Sequence, residues 1–256
     1  MDLSKMRKAG ILAAKTLEEV EKHIKAGMST EDINTICHNF IISNNANPGS
    51  LNYYGFPKSV CTSINNVICH GIPSKEDILK EGDILKVDVV VEKDGYYGDT
   101  CRCFIIGDID DKKKHLINTT YEAMWQAISI CKSGIKINKI GETIENYIKQ
   151  NGNYGIVRDY CGHGIGKKMH LPPNVLHFNN KENNYILKEN TCITIEPMIN
   201  EGDFSLYVTE DNWTVKTKDN SYSCQWEHTI YIKQNGCEVL TFNNYDKKKK
   251  KSLMII

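Results

Sequence analysis

The sequence predicts an α+β protein made of two similar halves, each combining two helices with an antiparallel sheet. The 256-residue chain repeats a helix–helix–strand pattern at a period of about 107 residues. Strand-like runs lie beside the helices instead of alternating regularly with them. A long hairpin is indicated over residues 84–106. Because no Pro/Gly/Ser-rich linker separates the halves, we predict one domain over residues 1–245, with repeats at about 5–106 and 112–242.

Composition excludes several classes of protein. The 32 basic residues equal the 32 acidic ones, so no global field attracts nucleic acid, and we expect no specific DNA contact. The ten cysteines contain no C-x-x-C pair, and several lie in apolar strand-like runs, which indicates reduced thiols. No apolar run reaches the roughly 18 residues of a membrane span, and the N-terminal run is too short for a signal peptide. We expect a cytoplasmic protein, and an organellar form without its transit peptide is the alternative that stays open.

The first match of the repeat covers a turn and the helix after it. Residues 26–33 align with residues 133–140, and each segment has a glycine (Gly27 and Gly134) that suits the left-handed end of a helix. Ser29 and Asp32 resemble a capping box. The helix that follows carries apolar residues at i, i+4, i+7 and i+8 in both halves, which predicts one buried face: Ile33, Cys37, Phe40 and Ile41, matched by Ile140, Ile144, Tyr147 and Ile148.

The second match of the repeat lies downstream, at an offset of about 108 residues. Residues 79–88 align with residues 187–196, and both segments read as a turn leading into a strand that ends on a carboxylate. These carboxylates are Asp88 and Glu196. Two such halves would face each other across a pseudo-twofold axis, so we expect the two carboxylates to meet near that axis.

The hairpin places a second carboxylate beside Asp88. Asp94-Gly95 is a strong two-residue turn signal, and with that turn Asp88 pairs with Cys101 and Asp99 with Val90. Side chains alternate with period two, so Asp88 and Asp99 share one face. Two like charges on an apolar face must raise a pKa or bind a cation. A solvated face is the alternative that the hairpin alone leaves open.

The second half supplies further acidic groups and a histidine. Residues 225–232 read as another strand, which puts Glu227 in the role of Asp99. His163 lies between Gly162 and Gly164, which let the backbone approach a ligand closely. The four negative charges of the carboxylates balance the charges of two divalent cations. Oxygen-rich ligands, here with one imidazole, favour Mn, Fe, Co or Zn. Such a pair can share and ionise a water, which predicts hydrolysis without indicating the substrate.

Several short motifs in one order make the sequence resemble the methionine aminopeptidases. They span about residues 4–242 and comprise Val67–Pro73, Asp88, Gly98–Thr100, Gly162–Gly166, Ile195–Pro197 and Glu227–Thr229. The resemblance implies the duplicated "pita-bread" fold and removal of the initiator methionine from nascent chains with a small second residue. The chain shows neither the Cys/His-rich N-terminal extension of eukaryotic forms nor the long insertion of type II enzymes. We therefore expect a short type I form.

The resemblance also implies roles for individual metal ligands. Asp99 and Glu227 would bridge two divalent ions, and Asp88 would chelate one of them. His163 and Glu196 would complete the other, and Glu196 would also move the proton of the bridging water.

The substrate side of the site follows from the same resemblance. His170 would hydrogen-bond the scissile peptide and steady the oxyanion. His70 would lie near the substrate amide, and the free α-amino group would bind beside Asp88. Ser50 and Met169 depart from the family pattern, which leaves the shape of the pocket open. The predicted methionine pocket contains Tyr53, Phe56, Cys61 and Trp213, and plain core packing is the alternative interpretation of these four.

Two other functions and one further partner need to be considered. Prolidases and aminopeptidase P share the five ligands, but they carry a large domain before this fold. Some pita-bread proteins have lost ligands and bind ribosomes or RNA instead. The lysine-rich tail, residues 246–256, contains Lys247–Lys251, which is a solvated run or a ribosomal RNA contact. The expected partners are thus nascent polypeptide N-termini, with the ribosome added if the lysine run contacts it, and we expect no membrane partner and a monomeric protein.

Overall fold

The described part of the chain contains five α-helices. The computed structural model describes residues 1–253, with side chains described through Lys249. The helices are α1 (Leu3–His23), α2 (Thr30–Ser43), α3 (Asp111–Ser129), α4 (Asn138–Asn151) and α5 (Asn244–Leu253). In the described part of the chain, no helix is long and apolar enough to cross a membrane.

Short polar side chains start three of the helices. Asp2 caps α1 by accepting the N–H of Lys5, and Asp110 caps α3 by accepting the N–H of Lys113. At α2 both bonds of the predicted capping box are present between Ser29 and Asp32. In the first half, the start of each helix is therefore determined by a capping side chain directly before it in the sequence.

The two repeat glycines adopt the predicted backbone but not the predicted position. Gly27 and Gly134 have φ values of 88° and 89°. The preceding helices, however, end at His23 and Ser129, so the glycines lie in the following turns and not at the helix ends. There the N–H of Gly27 donates to Leu79 O (2.8 Å) and that of Gly134 to Leu187 O (2.9 Å). The same bond in each half ties the turn to the segment that leads into the main strand.

All strand pairs in the described chain are antiparallel, as predicted. They form four sheets, in the orders β1-β4-β2 with β5 beside β4, β13-β10-β6, β11-β12-β3 and β15-β14-β9-β7-β8. The strands are β1 (Asn47–Pro48), β2 (Cys61–Ile64), β3 (Val67–Cys69), β4 (Ile84–Lys93), β5 (Tyr96–Ile105), β6 (Gly155–Ile156), β7 (Gly162–Ile165), β8 (Leu171–Val175), β9 (Cys192–Ile195), β10 (Met198–Asn200), β11 (Leu206–Val208), β12 (Val215–Thr217), β13 (Ser223–Gln225), β14 (His228–Lys233) and β15 (Gly236–Val239).

The β4–β5 hairpin has the predicted register. Asp88 pairs with Cys101, and Val90 pairs with Asp99. The turn residues Asp94 and Gly95 both have positive φ, 54° and 79°, which is the backbone that the two-residue turn requires.

Each half has its own apolar core. Helices α1 and α2 pack on the β4 sheet through residues that include Leu17, Val20 and Ile33. Helices α3 and α4 pack on the second half around Ile144 and Ile193. The helix faces predicted from the repeat are mostly buried, and Phe40 and Tyr147 are half-buried. Smaller apolar clusters join the halves, and one of them packs Met6 and Tyr96 against Ile165 and Leu240.

Two predicted segments differ from the structure in detail. The strand expected over residues 225–232 is interrupted, because β13 ends at Gln225 and β14 begins at His228. The tail expected from residue 246 begins inside α5, where buried Asp246 accepts a hydrogen bond from the Tyr121 hydroxyl (3.0 Å). The domain boundary at residue 245 stays a prediction.

Candidate metal centre

All predicted site residues line one cavity of about 590 Å³. Four of them lie on the strands β2, β4, β5 and β7. Glu227 lies just before β14, and the others lie in the segments around residues 53, 70, 170, 196 and 213. The predicted residues in its wall are Tyr53, Phe56, Cys61, His70, Asp88, Asp99, His163, His170, Glu196, Trp213 and Glu227.

The acidic groups meet where the two halves join. The Asp99 carboxyl lies within hydrogen-bonding reach of the carboxyls of Asp88 and Glu227, and that of Glu196 lies within reach of Glu227. The interruption before β14 explains the position of Glu227. The N–H of Glu227 is not paired with a neighbouring strand of the β14 sheet; it donates to Cys101 O on β5 (3.0 Å). Thr100 Oγ1, also on β5, donates to Glu227 O (2.8 Å).

Two threonines that the sequence analysis did not identify hold the ligands in place. Thr194 Oγ1 donates to Glu196 Oε1 (2.8 Å) and accepts the N–H of His163 (3.0 Å). Thr229 Oγ1 donates to Asp99 O (2.8 Å) and accepts the Asp99 N–H (3.1 Å). Each of the two lies two residues from a site carboxylate, and the same-face periodicity of a strand was the signal that could have indicated them.

His163 presents its Nε2 atom to the carboxylates. Its Nδ1 lies 3.0 Å from Gly164 O, and since a carbonyl only accepts, Nδ1 carries the proton. Nε2 then has a free lone pair, 3.7 Å from both Asp99 Oδ2 and Glu196 Oε1. Burial, aided by His170, lowers the pKa of His163 to about 4, so the ring is neutral at pH 7, as a metal ligand must be.

Unpartnered oxygen atoms show that this cluster fits cations. Ligand atoms of Asp99, His163 and Glu227 lie within 4.8 Å of one another. Buried Asp88 Oδ1, Asp99 Oδ1 and Glu227 Oε1 have no hydrogen-bond partner among the described residues. Buried unpaired carboxylate oxygens are costly, and oxygen donors with one imidazole suit a divalent metal. Asp88 adjoins this group through Asp99, and Glu196 adjoins it through His163.

Without a cation the site retains protons. Burial raises the pKa of Asp88 to about 7. Burial, followed by the charge of Asp88, raises the pKa of Glu196 to about 8. The pKa values of Asp99 and Glu227 also lie well above the ordinary range, because of burial and then of the nearest negative charge, that of Asp88 for Asp99 and that of Asp99 for Glu227. Any metal that enters must displace protons from these groups.

Two further histidines flank the carboxylates. The His170 ring meets His163 edge-on, with 4.3 Å between centroids, and its Nδ1 is 2.8 Å from the Tyr53 hydroxyl. His70 has a left-handed backbone (φ 56°) and packs edge-on to Tyr160. Burial lowers the pKa of both, that of His70 to about 4. Both rings are therefore neutral hydrogen-bonding groups at neutral pH.

An apolar pocket opens from the same cavity. Phe56 and Trp213 pack edge-to-face at 5.2 Å, and Cys61 pairs across β2–β4 with Asp88. Ser50 and Met169 also line it. These residues line the cavity, and their role as a methionine pocket stays a prediction. The wall also includes residues that the sequence analysis did not single out, because no local pattern marks them: Tyr54, Cys69, Tyr160, Met198 and Gln225.

His177 is a further residue that sequence reasoning missed. It is 1% exposed, and its Nε2 accepts the N–H of Glu196 (3.1 Å), so it holds the backbone from which the Glu196 carboxyl projects. We expect His177→Leu to weaken binding of Mn or Co by about tenfold, the scale of losses behind a metal ligand. His177→Gln keeps an acceptor and should bind almost as the wild type does. Calorimetric titration of metal-stripped protein measures this, and equal losses in both variants would contradict the role.

Comparison with known proteins agrees with this geometry. The model of metallopeptidase family M24 matches residues 4–234. A methionine aminopeptidase of Buchnera aphidicola subsp. Acyrthosiphon pisum (strain APS) is 48% identical over 242 residues, 94% of this chain and 91% of the relative. The methionine aminopeptidase of Escherichia coli (strain K12) is 46% identical over 246 residues, 96% of this chain and 93% of the relative.

Solved structures show the same fold. The crystal structure of methionine aminopeptidase from Rickettsia prowazekii matches with a TM-score of 0.91 at 48% identity, over 94% of this chain and 97% of that chain. A prolidase from Pyrococcus horikoshii OT3 matches with a TM-score of 0.74 at 22% identity, over 95% of this chain and 62% of that one, which is a likeness of fold alone. The predicted pita-bread fold is therefore confirmed. By sequence and by structure, the chain belongs to metallopeptidase family M24 and, within it, to the methionine aminopeptidases.

Proposed function

We infer that the protein removes the N-terminal methionine from polypeptides whose second residue is small. One observation carries this inference: the carboxylate–histidine centre and an apolar pocket share a single cavity. The pocket is lined by two packed aromatic rings and a thiol, which suits an unbranched thioether side chain. Membership of the methionine aminopeptidases supports the same substrate.

We further propose that two divalent cations occupy the centre. Asp88, Asp99, His163, Glu196 and Glu227 would hold them, and their four negative charges balance two such ions. When bound, the cations supply the Lewis acidity that ionises water near neutral pH. Co, Mn, Fe and Zn all suit these donors.

The residues of the chain would then divide the remaining work. Glu196, whose Oε1 accepts a hydrogen bond from Thr194 Oγ1, accepts the proton of the attacking water and returns it to the leaving amine. His170, oriented by Tyr53, donates a hydrogen bond to the oxygen on which charge develops. His70, which lines the same cavity, positions the amide of the scissile bond.

The pocket also accounts for action at a free N-terminus. Cys61 in the pocket wall faces Asp88 across the β2–β4 pair. A methionine side chain seated in the pocket therefore places its α-amino group at the Asp88 end of the centre.

Other expectations stay predictions. Ribosome binding through Lys247–Lys251 falls partly outside the described side chains, although Lys247 and Lys248 are exposed on α5. Loss of salt-sensitive ribosome binding on deletion of residues 246–256 would support it. A cytoplasmic location, a monomeric state and the short type I class likewise stay predictions.

A panel of peptides tests the proposed function. Metal-stripped protein, supplied with Mn or Co, is expected to release methionine from Met-Ala-Ser but not from Met-Lys-Ser, and to leave an Ala-Pro peptide intact. Released amino acids are measured by chromatography. Cleavage of Ala-Pro instead would indicate an X-Pro hydrolase. If no peptide is cleaved with any metal, a non-catalytic binding protein would be the better interpretation.

A further inference from the structure

Tyr54 is an exposed aromatic residue whose backbone conformation is unfavourable for its residue type. Its side chain is 86% exposed, and its backbone is left-handed, with φ 48° and ψ 27°. Its neighbours Asn52 and Gly55 also have positive φ, but those residue types tolerate it. A tyrosine does not, and strained backbone of this kind gathers at functional sites. Stability alone would favour glycine or asparagine at this position.

The ring of Tyr54 stands at the mouth of the active-site cavity. Tyr54 belongs to the cavity wall, and its ring contacts Tyr53 edge-on with 4.7 Å between centroids. Tyr53 in turn lies 5.2 Å from the His170 ring. The Tyr54 ring is thus at most about 10 Å from His170, which is the reach of about three extended residues.

Another part of the cavity wall is unsuited to holding a peptide by strand pairing alone. It is formed by β8, the outer strand of its sheet, from which Pro172 and Asn174 project as exposed residues. Successive N–H groups of a strand point to opposite edges, and Pro172 and Pro173 have none, so the free edge of this strand lacks one of the donors that an added strand needs. A polypeptide that leaves the cavity here must be held largely through side-chain contacts.

We propose that Tyr54 forms a binding surface for the third and fourth residues of polypeptide substrates, with a preference for apolar and aromatic side chains. This inference rests on the proposed function, in which only the first residue enters the pocket. The rest of the substrate must leave through the mouth, and an exposed, rigid aromatic ring is a low-entropy contact surface for a passing chain.

Tyr54→Asn provides the test, because asparagine suits the left-handed backbone and removes the ring. Three substrates are compared: Met-Ala, which has no third residue, Met-Ala-Gly-Gly, which has no side chains there, and Met-Ala-Phe-Leu, which has two apolar side chains for Tyr54 to contact. We expect kcat/KM to fall about fivefold on Met-Ala-Phe-Leu, the scale of one aromatic contact, and to change little on the other two. Tyr54→Phe should restore the wild-type value. Tyr207→Ala, which removes an exposed tyrosine of β11 outside the cavity wall, should change none of them.

Two results would overturn the inference. An equal loss on all three peptides would show that Tyr54 acts through Tyr53 and His170, and no loss on Met-Ala-Phe-Leu would show that no contact exists. Wild-type protein that releases no methionine from any peptide would refute the proposed function itself, and this result is distinct from both.

Discussion

Asp99→Asn is expected to reduce methionine release by at least about a thousandfold, the scale on which loss of a principal catalytic group acts in other enzymes. The Asp99 carboxyl is the only one that lies within reach of both Asp88 and Glu227 among the described residues, so both cations would depend on it. An amide offers one oxygen donor and no charge in its place. Turnover of Met-Ala-Ser and metal content per chain are measured together.

The same change should not unfold the metal-free protein. Burial, followed by the charge of Asp88, raises the pKa of Asp99 on folding, so replacing it with a neutral amide removes this cost and is expected to raise the melting temperature of the stripped protein. Asp94→Asn is the matched control, since Asp94 lies in the turn of the same hairpin and asparagine tolerates its positive φ. It should retain full activity. An Asp99→Asn protein that binds metal and turns over normally would overturn the proposed centre.

Metal affinity is expected to rise steeply with pH between 6 and 8. Without metal, the pKa of Asp88 is about 7 and that of Glu196 about 8, both raised above their unfolded values. Folded protein therefore binds more protons than unfolded protein, so the stability that these groups contribute is present at low pH and is lost as pH rises through 7 and 8. Metal binding displaces the same protons, and each one displaced changes the apparent affinity by about tenfold per pH unit.

Two measurements check the pH dependence. The melting temperature of metal-free protein should fall from pH 6 to pH 8.5, whereas the increase caused by Mn should grow over the same range. Calorimetry in buffers of different ionisation enthalpy should detect proton release at pH 7 and less at pH 8.5. In Glu196→Gln the released protons should decrease. Metal affinity that is independent of pH would contradict the raised pKa values and the conclusion that the metal-free site binds protons.

Local sequence was enough where short-range rules decide the structure. The Asp94-Gly95 turn sets the register of β4 and β5, and this register puts Asp88 and Asp99 on one face. The repeat predicted that Glu196 would join them, because equivalent turns tied by Gly27 and Gly134 lead into equivalent strands. The family resemblance added the substrate, which ligand chemistry alone did not indicate.

Contacts between distant residues decided the rest. The break that positions Glu227 depends on a bond to Cys101, and the support of Asp99 by Thr229 spans 130 positions in the chain. The same holds for His177 behind Glu196 and for the exposed ring of Tyr54 at the cavity mouth. Periodicity and turn chemistry act over a few residues, so the sequence by itself determined the fold class, the hairpin and the identity of the polar groups. Only the packing of one half against the other determined how these groups meet, because each half satisfies its own local rules without specifying the junction.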